Sequence, residues 1–317
     1  MTATIETRAL SRWYGPILAV QDVEVSLGPG VWGLLGPNGS GKSTLLAMLA
    51  GQLRPSKGDV RVLGERPWQN PKLFARVGLC PEHDALYDDL TAREMLTLLL
   101  ELHGFVRSEA DGRAAQALDD VGLKDSMDRP VGGYSRGMRQ RVKIAQAFAH
   151  DPEVLLLDEP LSGTDPLSRA KVIERIRARG AAGACVVVSS HVLHEVEAMT
   201  DRIALILRGR LVAEGNLYAL RDLLDDHPHR IAVECSDPRK LSHALLDLPS
   251  VESIHFEGSH AVEVRTRTPG DCYREIPRRA RDAGIRIRSL TSPDASLEAV
   301  FRYLVEHKNL ERKEKRA

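Results

Sequence analysis

The 317-residue chain has the composition of a globular protein, 43% hydrophobic and 28% charged, with Lys+Arg and Asp+Glu balanced at 44 each. That balance and an aromatic share of 4% argue against a basic, base-stacking nucleic-acid binder, so no nucleic acid is expected as a partner. No apolar run approaches the ~20 residues of a spanning helix, "MTATIETRAL" carries no leader pattern, and Cys80, Cys185, Cys235 and Cys272 form no CxxC pair, which predicts reduced, buried thiols.

Residues 2–9 and 17–27, with Val23, Val25 and Leu27 alternating, suit an antiparallel sheet. Then comes "VWGLLGPNGSGKSTLLAML". Val31–Leu35 reads as a buried strand, and Leu45, Leu46 and Leu49 as the apolar face of a helix. Between them stands G-x-x-x-x-G-K-S, the context of a phosphate-binding loop. Its glycines let backbone N–H groups turn toward phosphate oxygens, and the helix N-terminus adds partial positive charge. Lys42 reaches the outer phosphates, and Ser43 offers a hydroxyl to Mg²⁺.

Residues 92–103 and 109–122 carry apolar side chains at helical spacing, among them Leu96, Leu100, Leu118 and Val121. "GGYSRGMRQR" (132–141) reads as a helix start capped by Ser135, either an anion site or a solvated helix. In "EVLLLDEPLSGTDP" a buried strand, Val154–Leu157, ends in Asp158, suited to the Mg²⁺ shell, and Glu159, suited to polarising an attacking water. A third apolar strand, 184–188, leads to His191, placed for the terminal phosphate or the water. Strands ending at Leu35, Leu157 and Val188 alternate with helices, which predicts a parallel α/β core.

"DDHPHR" reads as a linker, with the histidines at 227–229 in a loop. Beyond it the pattern is strand 229–235, helix 238–247, strands 251–257 and 260–266, helix 271–283 and strand 285–291, a ferredoxin-like β-α-β-β-α-β order. A last helix is expected from Ser296, with Leu297, Val300, Phe301 and Leu304 on one face. The cationic tail "HKNLERKEKRA" reads as a solvated end.

Taken together these motifs resemble the ATP-binding subunits of ABC transporters over about residues 3–225. Gly36, Pro37, Asn38, Gly39, Ser40, Gly41, Lys42, Ser43 and Thr44 match Walker A, and Val154–Pro160 matches Walker B. The resemblance implies ATP and Mg²⁺ as cofactors, Glu159 and His191 as catalytic residues, and Ser43, Asp158 and Glu82 around the metal. It puts Tyr14, beside Trp13, at the adenine-stacking position, and Asp165 in a D-loop "SGTDP". Ser135 and Gly137 match the signature that closes on the ATP held by a second subunit, whereas Tyr134, Arg136 and Met138 depart from it; Arg136 either adds charge toward that phosphate or faces solvent. Glu82 replaces the usual Q-loop glutamine.

These departures, with "SLEAVF" near the end, are most similar to the ABC-2 type exporter branch. The implied fold is an α/β P-loop NTPase of ABC type. It has a parallel core sheet, an antiparallel β subdomain and a helical subdomain about 85–150, all within 1–225, and a ferredoxin-like accessory domain at 226–317 suited to a dimer or regulatory module. The implied function is ATP hydrolysis coupled to transport through a head-to-tail homodimer or pseudo-dimer. The implied partners are transmembrane permease subunits on separate chains, and the place of action is the cytoplasmic face of the membrane. A soluble ABC-type ATPase acting on DNA or ribosomes is the alternative, disfavoured by the single P-loop, the lack of long heptads and the zero net charge.

Overall fold

A computed structural model describes residues 3–216 and 228–292. The chain divides into two compact units, Met1–Asn216 and Leu217–Ala317. This division falls nine residues before the expected domain boundary at 225/226, and residues 217–227 lie outside the described ones.

In the first unit β1 (Ile5–Tyr14), β2 (Ile17–Leu27) and β4 (Lys57–Val62) form an antiparallel sheet in the order β2-β1-β4. The second sheet takes β3 (Gly30–Leu35), β5 (Val77–Cys80), β6 (Val154–Asp158), β7 (Cys185–Ser190), β8 (Arg202–Leu207) and β9 (Arg210–Asn216). Its order is β5-β6-β7-β3-β8-β9, parallel throughout except for the β8–β9 hairpin. Every residue of β6 and of β7 is buried, as expected of strands covered on both faces, which read as continuous apolar runs rather than alternation.

The helices are α1 (Lys42–Leu49), α2 (Pro71–Phe74), α3 (Ala92–Leu102), α4 (Arg107–Asp120), α5 (Arg136–Phe148), α6 (Pro166–Ala181) and α7 (Leu193–Glu197). Thr91 and Glu94 form a reciprocal capping box at the start of α3, which fixes where that helix begins. Leu96, Leu100, Ala114, Leu118, Val142 and Phe148 bury the facing stripes of α3, α4 and α5 in one core. Parallel register sets the position of the site. Leu35 lies opposite Ser190, Asp158 opposite Ser189, and Cys80 opposite Leu157. The C-terminal ends of β3, β7, β6 and β5 therefore line up along one edge, where open α/β sheets bind ligands.

The second unit contains β10 (His229–Cys235), α8 (Pro238–Leu245), β11 (Ser253–Glu257), β12 (Ala261–Thr266), α9 (Pro269–Asp282) and β13 (Ile287–Thr291). The sheet order β11-β12-β10-β13, antiparallel throughout, is the ferredoxin-like arrangement that the sequence order predicts. Ile231, Val233, Val262 and Val264 share the core with Leu241 and Ile276 of the two helices. Of the two overlapping expectations for His229, loop 227–229 and strand 229–235, it follows the strand: it opens β10, pairing with Thr266. The helix expected from Ser296 and the cationic tail lie outside the described residues. Among the described residues no helix is long and apolar enough to cross a membrane.

Candidate functional site

The loop 36–41 joins β3 to α1 at the aligned edge of the sheet. A Cβ on Gly36 would stand 2.3 Å from the Ile206 carbonyl oxygen and 2.4 Å from Ser40 Oγ, so only glycine lets the loop close over the strand ends. Lys42 is almost fully buried at the first turn of α1. Its Nζ donates to Gly36 O at 2.8 Å and to Pro37 O at 3.3 Å. The same Nζ lies 4.0 Å from Glu159 Oε1. Ser40 Oγ is buried and without a hydrogen-bond partner, an orphan polar atom packed against Gly36.

Glu159 follows the last residue of β6 and takes a left-handed backbone, φ 48°, which costs a non-glycine residue about 1–2 kcal/mol. Two contacts from β7 fix it, because the Glu159 N–H donates to Ser189 O at 3.2 Å and to Ser189 Oγ at 3.1 Å. The Ser189 hydroxyl in turn donates to Asp158, whose carboxylate is 5% exposed. This backbone turn places Glu159 Oε1 2.8 Å from His191 Nδ1. The described residues thus bring Lys42, Glu159 and His191 into one chain of contacts, with Asp158 beside them.

The other expected residues sit apart. Ser135 caps α5, accepting from the Met138 N–H at 3.3 Å, as the sequence predicts. Gly137 stands where an added Cβ would be 2.7 Å from Gly163 O, so this glycine admits the 162–165 loop of its own chain. Arg136 is exposed and lies over that loop too, with Nη2 3.3 Å from Ser162 Oγ. Tyr134 is core, its hydroxyl donating to Ser126 O at 2.5 Å. Asp165 caps α6; hydrogen bonds from Ser168 hold its carboxyl below the usual carboxylate range. Tyr14 is half exposed at the end of β1 with the Arg12 guanidinium 5.0 Å from its ring centroid, and the neighbouring Trp13 ring faces Lys57. Among the described residues no hydrogen bond or ion pair joins Ser135, Gly137, Asp165 or Tyr14 to the 36–44 loop.

Sequence reasoning missed three residues. Gln140 and Lys143, both buried on α5, donate to backbone carbonyls at the sheet edge. Gln140 Nε2 reaches Pro160 O at 3.0 Å and Glu159 O at 3.4 Å, and Lys143 Nζ reaches Pro81 O at 3.0 Å and Glu82 O at 2.8 Å. Glu82 is therefore held by its backbone while its side chain is exposed. Ser189 is the third. The available signal was a polar residue on an otherwise apolar stripe or strand.

The residues present suit a nucleotide with Mg²⁺: an orphan hydroxyl, a buried cation, and Ser43 and Asp158 as oxygen ligands that would hold the ion. Among the described residues no three His, Cys, Asp or Glu side chains form a metal cage, so an Mg²⁺ ion held here by Ser43 and Asp158 would need further oxygen ligands from phosphate or water.

Beside this edge runs a groove of about 530 Å³ lined by Phe74, Leu79, Leu96, Leu99, His103 and His150. The two imidazoles stack at 4.2 Å between centroids, and burial pushes His150 down to about 4, so it stays neutral at cellular pH.

Comparison with known proteins agrees with this geometry. Residues 20–162 match a family model described as ABC transporter. The chain is 34% identical over 309 residues to the daunorubicin/doxorubicin resistance ATP-binding protein DrrA of Streptomyces peucetius, covering 96% of this chain and 93% of that protein. It is 38% identical over 220 residues to the Nod factor export ATP-binding protein I of Burkholderia orbicola (strain AU 1054), covering 69% and 72%. Among solved structures, an ATP-binding subunit of an ABC transporter superposes with a TM-score of 0.65 at 29% identity, over 70% of this chain and 93% of that one. A dimeric post-hydrolysis state of the ATP-binding cassette MJ0796 with ADP and Pi shares the fold, at a TM-score of 0.63 and 24% identity, over 67% of this chain and 98% of that one.

Proposed function

The chain belongs to the ABC transporter family as an ATP-binding, ATP-hydrolysing subunit, and on that premise we propose that it drives export through membrane-spanning subunits carried on separate chains. The observation that carries the chemistry is the contact chain from Lys42 through Glu159 to His191 at the sheet edge. The direction of transport is supported by the relatives: DrrA, named for drug resistance, matches along nearly the whole chain including the second unit, and another is named for Nod factor export.

In this reading the backbone N–H groups of Gly36–Thr44 and Lys42 hold the phosphates, Tyr14 stacks on the base, and Ser43 and Asp158 hold the ion, with Glu82 near it. Bound Mg²⁺ with ATP supplies a phosphoryl group whose negative charge is partly neutralised. Glu159 orients the attacking water and receives its proton, and His191 fixes the Glu159 carboxylate through the 2.8 Å contact. Ser135 and Gly137 present the N-terminus of α5 to the nucleotide of a second subunit, with Asp165 at the same interface. The dimeric cassette of like fold supports that arrangement. The groove between the sheet edge and α3 receives the membrane subunit, at the cytoplasmic face. The second unit serves as an accessory module.

Two outcomes test this. Expressed with membrane-spanning partner subunits, the chain should sediment with membranes and be released when those subunits are omitted. Sedimentation independent of them, or ATPase activity stimulated by DNA or ribosomes, overturns the reading. Glu82→Gln should leave ATP affinity intact and raise the Mg²⁺ concentration for half-maximal ATPase about fivefold, since a unit charge at ~4 Å in water is worth about 1 kcal/mol. Superimposable Mg²⁺ titrations would remove Glu82 from the metal's surroundings.

A further inference from the structure

α5 grips three backbone segments from one face. Arg136, Gln140 and Lys143 are spaced four and three residues apart, so they point the same way from the helix. They reach 162–163, 159–160 and 81–82 respectively. Gln140 is the central member, 6% exposed, and its Nε2 also lies 3.8 Å from Cys80 Sγ at the end of β5. Burial pushes that thiol up to about 12, so it stays a neutral neighbour. On the other side of Glu159, Ser189 occupies the N–H. The left-handed peptide at Glu159 is therefore held between β7 and α5, with no other side-chain donor on its carbonyl among the described residues.

We propose that Gln140 is a positioning residue: by donating to the carbonyls of Glu159 and Pro160 it holds the Glu159 carboxylate in its hydrolytic position and ties that position to the helix whose N-terminus serves the opposite site. The inference rests on reading Glu159 as the residue that activates water. It assigns Gln140 no contact with nucleotide. Drift of α5 reaches the carboxylate through the backbone, because the amide holds the carbonyls of Glu159 and Pro160 to the helix. A displacement of ~1 Å at a reacting group lowers rate by about 100-fold, whereas the phosphate contacts of the 36–44 loop are untouched.

The test is a double-mutant cycle on the full chain, with single-turnover ATP hydrolysis and ATP affinity measured for wild type, Gln140→Met, Glu159→Gln and the double variant. Gln140→Met keeps the volume and removes the donor. It should lower the rate about 10- to 100-fold with ATP affinity within about twofold. In the Glu159→Gln background the same change should cost nothing further, since Gln140 acts through that carboxylate. An equal loss in both backgrounds shows a merely structural role and overturns the proposal, as does a Gln140→Met rate within twofold of wild type. If Glu159→Gln itself turns over normally, the reading of Glu159 fails instead, and the two failures are told apart. Should Gln140→Met not fold, Gln140→Glu decides. A protonated carboxyl still donates to Pro160 O, so its rate relative to wild type should fall as pH rises and the carboxyl ionises; a flat ratio overturns the proposal.

Discussion

Glu159→Gln is expected to slow ATP hydrolysis by about 10²- to 10⁴-fold, the range supplied by a positioned general base, while ATP binding and ATP-dependent dimers persist. The substitution keeps the volume of a side chain that is 10% exposed and packed between Lys42 and His191. It removes the charge that receives the water's proton. The backbone contacts from Ser189 and Gln140 do not involve the carboxylate, so the left-handed turn survives. Loss of a negative charge beside the γ-phosphate also removes a repulsion, and closed dimers should last longer with ATP than in the wild type. Phosphate release and size-exclusion chromatography with ATP read both effects. Wild-type turnover in this variant would remove Glu159 from the chemistry. A variant that neither hydrolyses nor binds ATP would place the residue in the fold instead.

How much of this site could be read from the chain depends on distance along it. The 36–44 loop is contiguous, and its strand, turn and helix each leave a local trace, so its position and geometry were legible. The same holds for β6 and β7, whose unbroken apolar runs mark doubly covered strands, and for the second unit, where alternation and helical spacing set the β-α-β-β-α-β order and the pairing followed from it. Gln140 was not legible in the same way. Its partner Cys80 is 60 residues earlier and its carbonyl partners are about 20 later, and no period in the sequence joins them. A buried glutamine on an amphipathic helix is also what a solvated helix with one misplaced polar residue would look like. Gly137 was read, through the family resemblance, as part of a signature that faces a second subunit. The packing shows that its missing Cβ first makes room for Gly163 O of its own chain, a tertiary contact without a local signal. β4 escaped notice because Lys57–Val62 is half polar and gains its order only by pairing with β1.

Lys42→Ala should weaken ATP binding by about 100-fold, which corresponds to ~3 kcal/mol, the upper range for a hydrogen bond to a charged group. The ammonium is 6% exposed, so its charge meets little solvent screening, and besides two loop carbonyls its one anionic neighbour among the described residues is Glu159, 4.0 Å away. The phosphates of a bound nucleotide bring further negative charge to it, so the larger expected effect is on affinity. Alanine also leaves Glu159 facing the nucleotide without its cation, adding repulsion to lost attraction. Lys42→Arg should not rescue. The planar fork of a guanidinium needs width, and Lys42 is 6% exposed with its Nζ already 2.8 Å from Gly36 O. Titration calorimetry with ATP and Mg²⁺ reads the loss, with thermal unfolding of the nucleotide-free chain as the control. Equal affinities for wild type and Lys42→Ala would mean that the loop's N–H groups alone hold the phosphates. Restored affinity in Lys42→Arg would mean that the loop opens by more than its packing allows.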